Sequence, residues 1–198
     1  MVHQITMHTN FYIKNIQEIL EIENGQEIVD GMISSFACPI NKDVEDFLKN
    51  NAITFAKKHQ SITYFVIDRE DSALVGYFTL AIKPINIDAT LLSNTQKNEI
   101  ERVSEKIDNN GKYSLSAYLI AQVAKNFNYK RISGNELLEF ALSVIYNIQY
   151  EIGGMVVFLE SEEKEKLMEL YETNNSFKKF AVRENKENVK FIQLLKIL

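Results

Sequence analysis

The chain has 198 residues, 45% of them apolar, and a formal net charge of −5. That length makes one domain, 1–198, the expectation and suffices to bury a real core. The acidic balance excludes a surface that is basic throughout, the footprint of a general nucleic-acid binder.

No apolar run approaches the ~20 residues of a membrane span, so no membrane association is expected. The start carries a lone His3 instead of the basic and apolar regions of a signal peptide. One cysteine, Cys38, excludes an internal disulfide. It suits a reducing compartment, so a cytoplasmic location is expected. Local basic groups remain: Lys125, Lys130 and Arg131, then Lys178, Lys179, Arg183, Lys186 and Lys190. Taken singly, each is better explained as a solvated strand edge or helix end.

Residues 1–35 resist typing, because Ile13, Ile16, Ile19 and Leu20 suit a helix while FYI and QEIVDGMISSF suit strands equally well. From Asn41 the pattern sharpens. Val44, Phe47, Leu48, Ala52, Phe55 and Ala56 share one helical face, with Asp43 and Glu45 in the first turn and Lys57 and Lys58 in the last. Thr63–Asp68 and Ala73–Ile82 are β-branched and aromatic, which predicts an antiparallel hairpin ended by Pro84. Gly76 inside the second strand points to a bulge or a close backbone approach. Leu91–Ile107 reads as an exposed helix, opened by Ser93 and Gln96 in capping-box spacing and stopped at Asn109-Asn110-Gly111.

Ser116–Gln149 is the stretch around which the chain is organised. Leu119–Ala124 is a nearly continuous apolar run, as for a strand covered on both faces. Leu137, Leu138, Ala141, Leu142, Ile145 and Ile148 then form the stripe of a helix packed on a sheet. Ser133 and Glu136 stand in capping-box spacing at its start, and a second apolar run, Met155–Leu159, follows Gly153-Gly154. Strand, helix and strand make a right-handed crossover. The positive end of its helix faces out of the loop after the first strand, a natural anion site. Beyond it, a helix from Ser161-Glu162-Glu163 to Asn174-Asn175 and a hairpin of Phe177–Val182 with Val189–Ile197 complete the chain. The sum is an α/β (α+β) fold on a mixed sheet, antiparallel early and parallel in the middle.

Four stretches resemble the GNAT superfamily of acyl-CoA N-acyltransferases, and among its members the toxin-type enzymes of toxin–antitoxin operons. Phe36-x-Cys38 followed by DVEDFL resembles that subgroup's phenylalanine–cysteine turn and helix. VGYFTLA at Val75–Ala81 resembles its third strand, VGYYALA. AQVAKN at Ala121–Asn126 stands where its fourth strand reads GRLAVD, and LMELYETNNSF at Leu167–Phe177 resembles its FYExxGF ending. Together they cover about residues 36–182. The resemblance implies a mostly antiparallel sheet whose central parallel pair splays apart, with helices on both faces. It implies acetyl-CoA as co-substrate, no metal, and an N-acetyltransferase working by direct attack of a primary amine.

By the same resemblance, Val123, Ala124 and Lys125 would pair with the pantetheine arm. The pyrophosphate would fall to Arg131, Ile132, Ser133, Gly134 and Asn135, with charge from Lys130. The family's loop there reads Q/R-x-x-G-x-G/A, whereas Tyr129–Gly134 keeps only the last glycine. A capping serine needs no ligand to explain it, so Ser133 reads either way. Tyr171 matches the tyrosine that hydrogen-bonds the departing sulfur; on spacing alone it would be core. A buried structural cysteine is the better reading of Cys38, since His3, His8 and His59 are not spaced to activate it, and no metal-ligand spacing exists. Without a general base, a low-pKa α-amino group near ~7.7 suits the site better than a lysine near ~10.4. Aminoacyl-tRNA offers such an amine, against which stands the net charge of −5. Three readings stay open: an amine acetyltransferase of unknown acceptor, a toxin acetylating aminoacyl-tRNA, and a degenerate GNAT-fold binding module. An antitoxin partner and a homodimer are further states the resemblance allows.

Overall fold

The computed structural model describes residues 10–106, 111–185 and 188–198. His3 and His8, the expected helix stop at Asn109-Asn110, and Lys186 lie outside them. The chain divides into two compact units, Met1–Ala81 with Ala121–Val144, and Ile82–Ile120 with Ile145–Leu198.

In the first unit, β1 (Phe11–Asn15) pairs antiparallel with β2 (Ile62–Asp68), and β2 with the beginning of β3 (Leu74–Asp88). Between β1 and β2 lie α1 (Ile16–Leu20), α2 (Gly25–Ser34), α3 (Lys42–Asn50) and α4 (Ala52–Lys57). The Asn41 side chain caps α3, accepting from Asp43 N–H (3.1 Å) and Val44 N–H (3.4 Å). Val44, Leu48, Ala52 and Ala56, one per turn, are buried against Phe65, Ile67 and Tyr77. The single helix expected here is broken into α3 and α4 at Asn51, whose φ of −121° leaves the helical range.

Alternate residues of β3 point to opposite faces. The Tyr77 hydroxyl donates to the Val44 carbonyl on α3 (2.5 Å). Gly76, next to it, faces Leu137 on α6 (Gly134–Ile152); a Cβ at Gly76 would stand 2.7 Å from Leu137 Cδ2. Helices therefore cover both faces of β3. Gly76 also sits at a register shift, since Val66 pairs with Gly76 but Ile67 with Leu74. Bulge and close approach coincide at the one residue without a side chain.

β5 runs from Lys112 to Lys125, and its residues up to Ile120 belong to the second unit, where it pairs in parallel with β6 (Val156–Glu162) over Tyr118–Ile120 and Val157–Leu159. Both strands run on beyond those pairs. β8 (Lys190–Ile197) pairs antiparallel with β6 from Val156↔Ile197 to Glu162↔Phe191, and with β7 (Lys178–Glu184) on its other side. A short β4 (Glu105–Lys106) pairs with β5. Ile85, Ile87, Ile100, Tyr113, Val156 and Phe158 are among this unit's core residues. The strand order is β1-β2-β3-β5-β6-β8-β7, a mixed and mostly antiparallel sheet with a parallel β5–β6 pair, as the sequence suggests.

Three further expectations fail. β3 passes through Pro84 to Asp88; its β2 ladder ends at Leu80, so Pro84 lies beyond the β2-paired stretch. The helix placed over Leu91–Ile107 is α5 (Asn94–Glu101), with its Ser93–Gln96 capping box intact, and Glu105–Lys106 is strand. The helix placed at Ser161 starts only at Glu165, as α7 (Glu165–Met168), because pairing with β8 keeps β6 extended to Glu162.

Gly76→Ala should destabilise the protein by about 1–3 kcal/mol, the cost of overpacking a closed core site. Urea denaturation measures this; an unchanged midpoint would show that Leu137 and the β3 backbone yield freely.

Candidate functional site

The loop from Asn126 to Ser133 joins β5 to α6, and side chains rather than glycines hold it. Asn126 is wholly buried. Its Nδ2 donates to the carbonyls of Ser35 (3.1 Å) and Leu74 (2.9 Å), and its Oδ1 accepts from Ala37 N–H (3.1 Å) and Asn128 N–H (3.1 Å). Its own N–H donates to Val75 O (2.8 Å), and Phe127 N–H donates to Ala37 O (2.8 Å). Further along, Arg131 Nη1 donates to Asp68 Oδ2 (2.8 Å) and forms an ion pair with Asp71 Oδ2 (2.8 Å), and the guanidinium lies 5.4 Å from the Tyr129 ring centroid. Hydrogen bonds from Arg131, then from Glu70 N–H, hold the Asp68 carboxyl below its usual range.

The capping box at the head of α6 is complete. Ser133 N–H donates to the Glu136 carboxylate (2.8 Å), and Glu136 N–H to Ser133 Oγ (3.1 Å). Asn135 Nδ2 donates to Glu139 (2.6 Å). A carboxylate of the same helix thus holds the Ser133 amide, and it competes with an entering phosphate for that donor.

The last residues of β5 divide by side. Asn126 N–H bonds to Val75, so Ala124, two residues earlier, turns its backbone groups to β3 as well. Val123 and Lys125 therefore present their backbone groups to the opposite edge. Ala124 is buried in the core, and Lys125 Nζ lies 5.0 Å from the Phe127 ring centroid. Lys130 is exposed and Ile132 buried.

Cys38 is buried, and burial pushes its thiol up, as for a structural cysteine. Its N–H donates to Glu45 (2.9 Å), whose carboxylate also accepts from Lys49 (2.7 Å) and Lys42 (3.0 Å). This ties the Phe36–Cys38 turn to α3. Among the described residues no group of three or more potential ligands could hold a metal.

Tyr171, in the second unit, lies on a π-helical stretch, Glu169–Asn174, that continues α7. It is buried, edge-on to Phe177 with ring centroids 6.2 Å apart. Phe177 follows Tyr171 by six residues, one more than the five of FYExxGF. A π-turn is how a helix absorbs one inserted residue. The wide turn closes where Phe177 N–H donates to Tyr171 O (3.0 Å) and Asn175 Nδ2 to Leu170 O (2.8 Å). Ser176, at φ 60°, takes the left-handed conformation where the motif has glycine. Burial pushes the Tyr171 phenol up to about 12.

Reading the sequence alone missed Asn126 and the Arg131 partners. AQVAKN contains Asn126 in full view, yet an asparagine after a strand reads as a turn residue. Nothing in spacing pairs Arg131 with a turn some sixty residues earlier.

No family model and no curated protein matches the sequence. Solved structures do. AtaT in complex with acetyl-methionyl-tRNAfMet is 13% identical, with 92% of this chain and 94% of that one covered at a TM-score of 0.64. A tyrosine-to-phenylalanine mutant of KacT is 15% identical over 95% of each chain at 0.63. A mutant AtaT toxin bound to the C-terminus of the antitoxin AtaR and acetyl-CoA is 12% identical over 95% and 93% at 0.62. At such identities the likeness shows the fold alone, which this chain shares with AtaT and KacT.

The Glu45 cluster predicts a pH dependence. The Lys49 hydrogen bond, then Cys38 N–H and Lys42, hold Glu45 at about 2, below the ~4.3 of an unfolded glutamate. Its stabilisation is present above pH ~4.3 and lost as pH falls toward 2. Glu45→Gln should therefore lower the urea midpoint at neutral pH and narrow its gap from wild type on acidification. Parallel midpoint-against-pH curves would contradict this.

Proposed function

We propose that the chain is an acetyl-CoA-dependent N-acetyltransferase that passes acetyl to a primary amine by direct attack. The observation that carries this reading is the match of fold over nearly the whole chain to toxins solved with acetyl-CoA and with acetyl-methionyl-tRNAfMet. Acetyl-CoA supplies an activated thioester. The backbone groups of Val123 and Lys125 pair with the amides of the pantetheine arm, with Ala124 anchoring the strand between them. Amides of Ile132, Ser133, Gly134 and Asn135 face the diphosphate, Lys130 adds positive charge, and Arg131 serves in the same loop.

As the amine nitrogen bonds to the carbonyl carbon, the C–S bond breaks and the sulfur leaves as thiolate. The amine's proton goes to solvent. Tyr171 donates a hydrogen bond to the thiolate. A phenol at about 12 cannot hand its proton to a thiolate near ~8.5 without an uphill cost of about 5 kcal/mol. Its contribution is therefore electrostatic, and the thiolate's own proton comes from water.

The acceptor favoured by the AtaT complex is the α-amino group of aminoacyl-tRNA. Two points support it: the amine is substantially neutral near pH 7.7 (~), and a single RNA end needs only a local basic surface, not a basic protein. The structures of AtaT with AtaR support an antitoxin partner for this chain as well. A homodimer is part of the same proposal, checked by its mass in solution.

Acetyl-CoA at 100 times its Kd should stabilise the protein by ~2.7 kcal/mol in a thermal-shift assay. No shift at millimolar acetyl-CoA would favour a binding module without chemistry. Tyr171→Phe should lower turnover by about 10²-fold, and wild-type kcat should show no fall near pH 10, because Tyr171 stays protonated there. Full activity in the variant would remove Tyr171 from the mechanism.

A further inference from the structure

The Tyr129–Gly134 loop lacks the flexible glycines with which a backbone normally wraps phosphate. Its form must come from elsewhere. Asn126 anchors its start and the Ser133–Glu136 box its end. Between these stand two charged side chains: Lys130, which is exposed, and Arg131, directed to the β2–β3 turn, where it contacts Asp68 and Asp71 at 2.8 Å each.

That turn is a rigid platform. Asp68 N–H donates to Ala73 O (2.9 Å), Ser72 N–H to Asp68 O (3.0 Å), and Glu70 N–H to Asp68 Oδ1 (2.9 Å). The Asp68 side chain is only 9% exposed. Drawing Arg131 away would leave a buried carboxylate without its cation, a costly state. The three groups together carry a net charge of −1, so the guanidinium has no surplus field to offer a diphosphate. Tyr129, under the guanidinium at 5.4 Å, further fixes its plane.

We propose that Arg131 is a positioning residue: through Asp68 and Asp71 it clamps the loop to the β2–β3 turn, so that the amides at the head of α6 are presented in place, and it does not itself ligate phosphate. The clamp follows from contacts within this chain. Its service to acetyl-CoA rests on the function proposed above.

Two opposite signs separate this from a phosphate-binding arginine. Were Arg131 a phosphate ligand held back by two acids, the Asp68→Asn/Asp71→Asn variant would free it and tighten acetyl-CoA binding. A clamp requires that variant to weaken binding, although it makes the site more positive. We expect Asp68→Asn/Asp71→Asn and Arg131→Gln each to raise the Kd for acetyl-CoA about tenfold, the equivalent of one charge-assisted hydrogen bond. The triple variant should be no worse than either, since all three residues act through one contact. Steady-state kinetics should show the loss in KM for acetyl-CoA more than in kcat. Arg131→Lys should rescue only partly, because an ammonium lacks the planar fork.

Hydrogen exchange without any ligand tests the clamp by itself. The amides of Tyr129–Glu136 should exchange faster, by the same factor, in the double variant and in Arg131→Gln. Unchanged exchange, or tighter acetyl-CoA binding in the double variant, overturns the proposal. If wild type binds no acetyl-CoA, the acetyltransferase reading fails while exchange still decides the clamp. Should the double variant not fold, Asp71→Asn alone, at a more exposed position, carries the same predictions at reduced size.

Discussion

Asn126 is the constraint on which the first unit's architecture turns. An amide side chain can donate two hydrogen bonds and accept two, and here all four positions are filled while the residue is wholly buried. The partners come from three places: the segment after α2, the beginning of β3, and the loop that follows β5. A buried polar network satisfied throughout is rigid and specifies one arrangement, whereas one missing partner makes it a liability. Asn126 therefore fixes where β5 ends and from which direction the loop to α6 departs.

From that point the candidate site is built with side chains where a phosphate loop would ordinarily rely on glycine. The consequence is electrostatic as well as conformational. Asp68 and Asp71 neutralise Arg131, and Glu136 occupies the Ser133 amide. The dipole of α6 still favours an anion at its head, but a carboxylate of the same helix competes for the place. Binding a diphosphate here means displacing Glu136 or sharing the remaining amides, which sets a lower affinity than an open glycine loop would give. Tyr171 shows a comparable substitution of means: an extra residue is taken up by widening the helix into a π-turn, and the ring remains buried against Phe177.

Periodicity made the regular parts of the fold legible. The α6 stripe, both capping boxes and the β2–β3 hairpin are local signals, and each appears where the residues place it. Phe11–Asn15 was not legible, because it becomes strand only by pairing with Tyr64–Asp68, far along the chain. The same applies to Ser161–Glu162, held extended by a partner strand some thirty residues later. Pro84 misled because a proline ends a strand only where its missing N–H was needed. Of the candidate site, the helix head could be read from local spacing, whereas Tyr171 entered by resemblance alone. The Asn126 network, the acids facing Arg131 and the division of Val123 and Lys125 from Ala124 depend on tertiary contacts and could not.

The central claim is that amides at the head of α6, in a loop held without glycines, receive a diphosphate. A crystal structure of the protein with acetyl-CoA tests it most directly. The account predicts phosphate oxygens within hydrogen-bond distance of amides among Ile132–Asn135, Glu136 turned away from Ser133, and Arg131 still on Asp68 and Asp71. Phosphates bound elsewhere, with the Ser133–Glu136 box undisturbed, would contradict it.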